Sequence, residues 1–312
     1  MRFFLHAAIL VLVAASPGVA QQSKDAKAAD NVVRTEDVIY GRKFGVALTM
    51  DVLAPKENPN GRGIIFCVSG GWFSAKPGAN FPFGRTFLER GYTVFAVVHG
   101  SQPKFTIPEV LEDMHRAVRF IRANAAKYKV DPDKLGISGG SAGGHLSLMQ
   151  GCAPISGSLT SLDPIERQSS KIAAVACLFP PTDFLNYGKP GEVALGYGTL
   201  KDFRAPFDFH ELDPITRSFI PILDEGRRRA IGKKISPIYH VTKESAPALI
   251  IHGDADTLVP IQQAESIVAK LKANNVPCEL VVRKGAGHGG PAFANDEKVM
   301  AAWFDKRLLG KP

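Results

Sequence analysis

Leu135-Gly136-Ile137-Ser138-Gly139-Gly140-Ser141-Ala142-Gly143-Gly144-His145-Leu146-Ser147-Leu148-Met149 decides how this chain is read. Leu135 to Ser138 is a short strand. Gly139 to Gly143 fits G-x-S-x-G, and His145 to Met149 reads as the start of a helix. Small residues recur by chance, so the pentapeptide alone says little. A strand before it and a helix after it make it a nucleophile elbow, a turn so sharp that Ser141 must take strained backbone angles. Gly139 and Gly143 leave space where side chains would collide. The helix N-terminus behind Ser141 favours negative charge beside it.

Outward from this point, strand and helix signals alternate. Glu36–Tyr40 and Val46–Leu53 read as early strands, the second ending at Pro55. Gly63–Val68 and Tyr92–Val98 are continuous apolar runs, the pattern of strands buried on both faces. Further strands are read at Ile172–Leu178, Ala248–Ile251 and Glu279–Val282. Ile107–Lys127, Ile261–Ala273 and Asn295–Leu309 are helical, the first with Val110, Leu111, Met114, Ala117, Val118 and Ile121 at helical spacing. This order predicts an α/β domain, a mostly parallel eight-stranded sheet with helices on both faces, over residues 36–312. Residues 185–240 interrupt the rhythm, rich in Pro, Gly, Phe and charge with no clear strand. So long an irregular stretch in a compact domain reads as a lid or binding insertion.

A nucleophilic serine needs a base, and the base needs an orienting carboxylate. The strand Ala248–Ile251 runs into His252-Gly253-Asp254-Ala255-Asp256-Thr257-Leu258-Val259-Pro260, with two aspartates just past its end. Asp183, after the strand ending near Leu178, is a third candidate. Gly285-Ala286-Gly287-His288-Gly289-Gly290 places a histidine on a loop free to curl back over the sheet. The order of candidates along the chain is thus Ser, Asp, His.

The elbow, that order, and the stretches Asp113–Ala117, Val130–Leu135, Ser236-Pro237-Ile238, His252–Pro260 and Gly285–Gly289 resemble the α/β-hydrolase superfamily. Within it, the chain is similar to the feruloyl/acetyl esterase-like and prolyl-oligopeptidase-like serine hydrolases, from about Val38 to Leu309. The resemblance implies Ser141 as nucleophile, Asp256 as acid and His288 as base. It prefers Asp256 over Asp254 because the family's acid lies closer to the Val-Pro pair. It also implies an oxyanion hole from the N–H groups of Gly71, Trp72 and Ala142. Here the chain departs from the family, which often reads His-Gly-Gly where this sequence has Ser69-Gly70-Gly71. Ser69 must then replace whatever bonds that histidine makes. The implied activity is a carboxylesterase working through an acyl-enzyme on a small-molecule or carbohydrate ester, such as an acetyl or feruloyl ester. A peptidase for short peptides and a non-catalytic binding protein on the same scaffold are the alternatives.

Composition sets the remaining bounds. The 312 residues are 45% apolar, 22% charged and 9% aromatic, which is ordinary for a globular chain. The formal charge of +8 is spread along the sequence, densest at Arg227-Arg228-Arg229, and no basic tail marks a nucleic-acid binder. Met1–Ala20, with Arg2, an apolar run and Gly18-Val19-Ala20, reads as a signal peptide cut after Ala20, with an uncleaved anchor as the alternative. The expected location is secreted or periplasmic, without stable membrane insertion after cleavage. Residues 21–35 are polar and expected to be flexible. Cys67, Cys152, Cys177 and Cys278 read as buried free thiols rather than a disulfide framework. No metal motif, P-loop or dinucleotide fingerprint accompanies the elbow, so no metal or cofactor is expected. Oligomeric state is not legible.

Overall fold

The computed structural model describes residues 31–79 and 83–311. The candidate signal peptide and the polar residues up to Asp30 lie outside the described residues. In chain order the elements are β1 (Val32–Lys43), β2 (Val46–Pro55), β3 (Gly63–Val68), α1 (Phe83–Glu89), β4 (Thr93–Val98), α2 (Ile107–Ala123), α3 (Ala125–Tyr128), β5 (Leu135–Gly140), α4 (Ala142–Cys152) and β6 (Ala174–Leu178). There follow β7 (His210–Leu212), β8 (Phe219–Pro221), α5 (Glu225–Lys234), β9 (Ala248–Gly253), α6 (Gln262–Ala273), β10 (Cys278–Arg283) and α7 (Asp296–Leu308).

Eight strands form one sheet in the order β1-β2-β4-β3-β5-β6-β9-β10. The β1–β2 and β2–β4 pairs are antiparallel, and the pairs from β4 to β10 are parallel. The expected α/β architecture is therefore present. Strand direction of travel reverses at β3: β4 lies on one side of it and β5 on the other. The crevice beyond the carboxyl ends of strands at such a reversal is where open α/β sheets bind ligands.

Side-chain alternation explains why the central strands read as unbroken apolar runs. Ile65 and Cys67 of β3, Val175 and Cys177 of β6, and Ala248 and Ile250 of β9 enter one core cluster, with α2 and α4. Ile64, Ala174, Ala176, Leu249 and Ile251 enter the other, with α7. Successive residues point to opposite faces, and both faces are covered. Each fully buried Ile or Val contributes about 1.5–3 kcal/mol.

Two boundaries differ from the sequence reading. The first strand begins at Val32, so residues 32–35 are not a flexible leader but an edge strand paired with β2. Half of β1 is exposed and little of it is buried, so it needs backbone partners and not an apolar pattern. The register shifts between Thr35 and Val38, where Asp37 takes a positive φ of 54° and its N–H donates to Asp51 Oδ1 at 3.0 Å. The long helix ends at Ala123, because the Asn124 side-chain amide donates to the Phe120 carbonyl at 2.8 Å, and a separate short turn follows.

Residues 185–240 hold more structure than expected. β7 and β8 pair as a small antiparallel hairpin, and Asp224 caps α5 by accepting the Arg227 N–H at 2.8 Å. Phe207 and Phe209 are fully buried in the main core, Phe207 edge-on to the Trp72 indole. The four cysteines are free thiols, with Cys67, Cys152 and Cys177 buried. Among the described residues no helix is long and apolar enough to cross a membrane.

Candidate active site

Ser141 stands between the last residue of β5 and the first of α4, at φ 53° and ψ −121°. Its N–H donates to the Leu178 carbonyl at 2.9 Å, and its own carbonyl accepts the His145 N–H at 2.9 Å. The glycine spacing has a steric cause. A Cβ on Gly139 would lie 2.6 Å from the Gly143 carbonyl, and one on Gly143 would lie 2.9 Å from the Cys67 carbonyl oxygen. Strand and helix therefore approach too closely for side chains, and the strained serine is lifted to the sheet edge.

The loops after β9 and β10 are fastened to each other. Gly285 N–H donates to Asp254 Oδ1 at 2.5 Å, and Ala255 N–H donates to the Ala286 carbonyl at 3.0 Å. A Cβ on Gly253 would meet the Ala286 oxygen at 2.2 Å, so only glycine permits this crossing. The fastening sets Asp256 Oδ2 2.7 Å from His288 Nδ1, and His288 Nε2 2.9 Å from Ser141 Oγ. Carboxylate oxygens only accept, so Nδ1 carries the proton and Nε2 is left to accept from the serine hydroxyl. Asp254 is exposed and holds the loop; Asp183 accepts from Leu185 N–H, Asn186 and Tyr239 instead. Of the three aspartates considered, Asp256 is the one that meets His288.

The Asp256 side chain is fully buried. Burial alone would raise its pKa, but hydrogen bonds from His252 and His288 and from the Val259 N–H hold it well below the usual carboxylate range. Its Oδ1 accepts the N–H groups of Leu258 and Val259 at 3.0 and 2.9 Å. The Phe179 ring lies 4.6 Å from the His288 ring and shields its flank.

Beyond β3, Gly70 and Phe73 exchange two backbone hydrogen bonds around Gly71 and Trp72, at φ 54° and 59°. Both central residues at positive φ make a tight turn of the mirror-image type. The N–H groups of Gly71, Trp72 and Ala142 donate to no backbone acceptor among the described residues. The indole Nε1–H of buried Trp72 donates to His145 Nδ1 at 3.1 Å, and His145 Nε2–H donates to the Ile235 carbonyl at 2.6 Å. This ties the turn to α4, the helix that follows Ser141.

A cavity of about 600 Å³ opens at Ser141 and His288. Phe66, Leu178, Phe179, Phe293 and Met300 make it chiefly apolar, and among the described residues no carboxylate or ammonium side chain lines it. Phe203 is the member of the insertion's phenylalanines that reaches this wall; its ring edge would lie 2.7 Å from a Cβ on Gly71. Phe219 instead meets Phe44 and His210, and Phe73 is half exposed.

Three further histidines are buried and hydrogen-bonded to neighbouring loops and helices. His115 is buried on α2 with Nδ1 2.9 Å from Ser170 Oγ. His99 is buried against Ser69 and Gly100. His252 Nε2–H donates to the Val259 carbonyl at 2.8 Å, bracing the loop that carries Asp256. Among the described residues no three His, Cys, Asp or Glu side chains gather as metal ligands would.

The model of the BD-FAE family matches residues 50–271. The chain belongs to the BD-FAE family. Its curated relatives include the probable carboxylic ester hydrolase LipM of Mycobacterium tuberculosis, 28% identical over 76% of this chain and 51% of that protein. Esterase LipC of the same organism is 28% identical over 82% of this chain and 60% of its own length. The chain thus spans about half to three fifths of these relatives. Among solved structures, a truncated carbohydrate esterase from gut microbiota superposes with a TM-score of 0.71 at 26% identity, covering 89% of this chain and 96% of that one. Native esterase 2 of Thermogutta terrifontis gives a TM-score of 0.67 at 25% identity, covering 87% and 91%.

Proposed function

We propose that this BD-FAE chain is a serine carboxylesterase. The observation that carries the reading is the unbroken line Asp256–His288–Ser141 at the mouth of an apolar cavity. His288 Nε2 takes the Ser141 proton as Oγ attacks the ester carbonyl. Asp256 keeps the imidazole in the required tautomer and stabilises its charged form. The unspent N–H groups of Gly71, Trp72 and Ala142 receive the developing oxyanion, each donor worth about 3–4 kcal/mol of barrier. Expulsion of the alcohol leaves an acyl-enzyme, which water cleaves by the same steps in reverse.

The apolar cavity takes the acyl group, and Phe203 of the insertion stands over the Gly71 side of the site as part of a cap. The alcohol leaves on the open side, where a sugar can be accommodated. Relatedness to a carbohydrate esterase supports an acetyl or aromatic ester on a carbohydrate as the substrate. Export by way of Met1–Ala20 fits such a substrate.

The test is covalent. A fluorophosphonate should label the protein at Ser141, and Ser141→Ala should lose both labelling and ester turnover while keeping its circular-dichroism spectrum. Turnover should be measured on p-nitrophenyl acyl esters, acetylated sugars, feruloyl esters and short peptides. Labelling at a different serine, or cleavage of peptides faster than esters, would overturn the proposal.

A further inference from the structure

Ser69 and His99 leave the sheet side by side. β3 and β4 run parallel with Cys67 opposite Val97 and Val68 opposite Val98, so the next pair outward is Ser69 and His99. Ser69 Oγ is 2.9 Å from His99 Nε2. His99 Nδ1 is 2.8 Å from the Gly100 carbonyl oxygen, which can only accept. Nδ1 therefore carries the proton, and the bare Nε2 accepts the Ser69 hydroxyl proton. Burial lowers the His99 pKa to about 4, with the Lys43 charge acting the same way against the Gly100 bond, so the ring is neutral at pH 7.

The mount behind His99 is rigid. Gly100 N–H donates to Asp113 Oδ2 at 2.8 Å, and Lys43 Nζ sits 2.7 Å from the same oxygen. A Cβ at Gly100 would be 2.7 Å from that oxygen, so the approach requires glycine. Three further bonds join the two loops. His99 N–H donates to Ser74 Oγ at 3.2 Å, Ser74 N–H to Ser101 Oγ at 3.0 Å, and Gln102 N–H to the Trp72 carbonyl at 3.3 Å. The loop after β4 thus grips the Gly70–Phe73 turn before, within and after its two left-handed residues.

We propose that His99 is a positioning residue for ester hydrolysis: through Ser69 it holds the Gly70–Phe73 turn so that the Gly71 and Trp72 N–H groups stay aimed at the oxyanion. The inference rests on the esterase reading above. His99 touches no reacting atom. It fixes the one side chain at the entrance to the turn, and it spends the Ser69 hydroxyl, which lines the cavity and would otherwise be free to rotate into it. The sequence places these residues 30 positions apart, and only the parallel register of β3 and β4 joins them.

The experiment compares Ser69→Ala, Ser69→Thr, His99→Gln and the Ser69→Ala/His99→Gln double variant with the parent enzyme. Full loss of an oxyanion donor costs about 10²–10³ in kcat, so a misaimed turn should cost about tenfold. Ser69→Ala should lower kcat about tenfold with KM within about twofold, and affinity for a boronic-acid transition-state analogue should fall by the same factor. Ser69→Thr, which keeps the hydroxyl, should restore most of both. The double variant should be no worse than the weaker single one, because both break one link. Thermal unfolding reports stability separately, and if His99→Gln does not fold, the two Ser69 variants decide alone. An active parent whose Ser69→Ala form keeps its kcat and analogue affinity overturns the role of His99 only. A parent inert toward esters and phosphonate overturns the esterase reading and this inference with it.

Discussion

Replacing Asp256 by Asn isolates one step, the choice of imidazole tautomer. In the wild type, Oδ1 accepts the Leu258 and Val259 N–H groups, and Oδ2 accepts the His288 Nδ1–H. An asparagine has one oxygen to place. Turned toward His288, that oxygen would leave two backbone donors facing an NH2 group, at about 1–3 kcal/mol for each buried donor left unmade. The amide therefore puts its oxygen on Leu258 and Val259 and its NH2 on His288. Nδ1 must then accept, the ring proton moves to Nε2, and Nε2 can no longer receive the Ser141 proton.

Such a tautomer error is worth about 10⁴ in kcat, equal to about 5.5 kcal/mol of barrier. Asp254→Asn serves as the internal control. It keeps an oxygen for the Gly285 N–H and leaves the Asp256–His288 pair untouched, so it should lose less than about fivefold. The assay is kcat/KM on a p-nitrophenyl ester, with circular dichroism to show that both variants fold. Asp256→Asn within tenfold of wild type would refute the reasoning, and a larger loss in Asp254→Asn would move the acid role to Asp254.

Acid should destabilise the fold between about pH 6.5 and pH 4, chiefly through buried histidines. Burial holds His99, His115 and His145 at pKa values of about 4, against 6.5 when unfolded, so the unfolded chain takes up these protons first and stability is lost as pH falls from 6.5 toward 4. Asp113, raised by burial to about 6, works in the opposite direction by one proton, leaving about 2–3 kcal/mol lost per pH unit near pH 5; guanidinium midpoints that do not move between pH 7 and pH 5 would contradict this. Phe203→Ala should change the ranking of kcat/KM across a series of acyl lengths while shifting the unfolding temperature by only a few degrees. An unchanged ranking would make that part of the insertion scaffold.

How much could be read without coordinates depended on how local each signal was. β3 and β6 are almost wholly buried, so their sequences are apolar without interruption and their positions are plain. The edge strand β1 is half exposed and bulged, and its first four residues looked like leader. The elbow was legible because its steric demands fall within five consecutive residues. Asp254 and Asp256 could not be separated by their place beyond β9. What distinguishes them in space is direction: Asp254 faces solvent, while Asp256 faces His288 from a closed pocket. The aromatic insertion was legible as an insertion but not by its interior. Phe207 and Phe209 fill the core beside Trp72, and Phe203 alone of this group turns to the cavity.

Charge is arranged at this site by exclusion. The cavity wall is chiefly apolar, and in the proposed mechanism the groups that meet the developing charge are backbone N–H dipoles and the positive end of α4. In such surroundings a fixed dipole acts more strongly than in water, but only if it is already in place. Two buried imidazoles supply that placement, His99 through Ser69 and His145 through Trp72. Each gives its own N–H to a backbone carbonyl and so presents a bare nitrogen to the side chain that it holds. A lysine or arginine could not accept at that position, and a carboxylate would bring a negative charge beside a developing oxyanion. A neutral histidine accepts without adding charge. Burial keeps both rings neutral, so the desolvation that strengthens the oxyanion donors also preserves the protonation state on which their alignment rests.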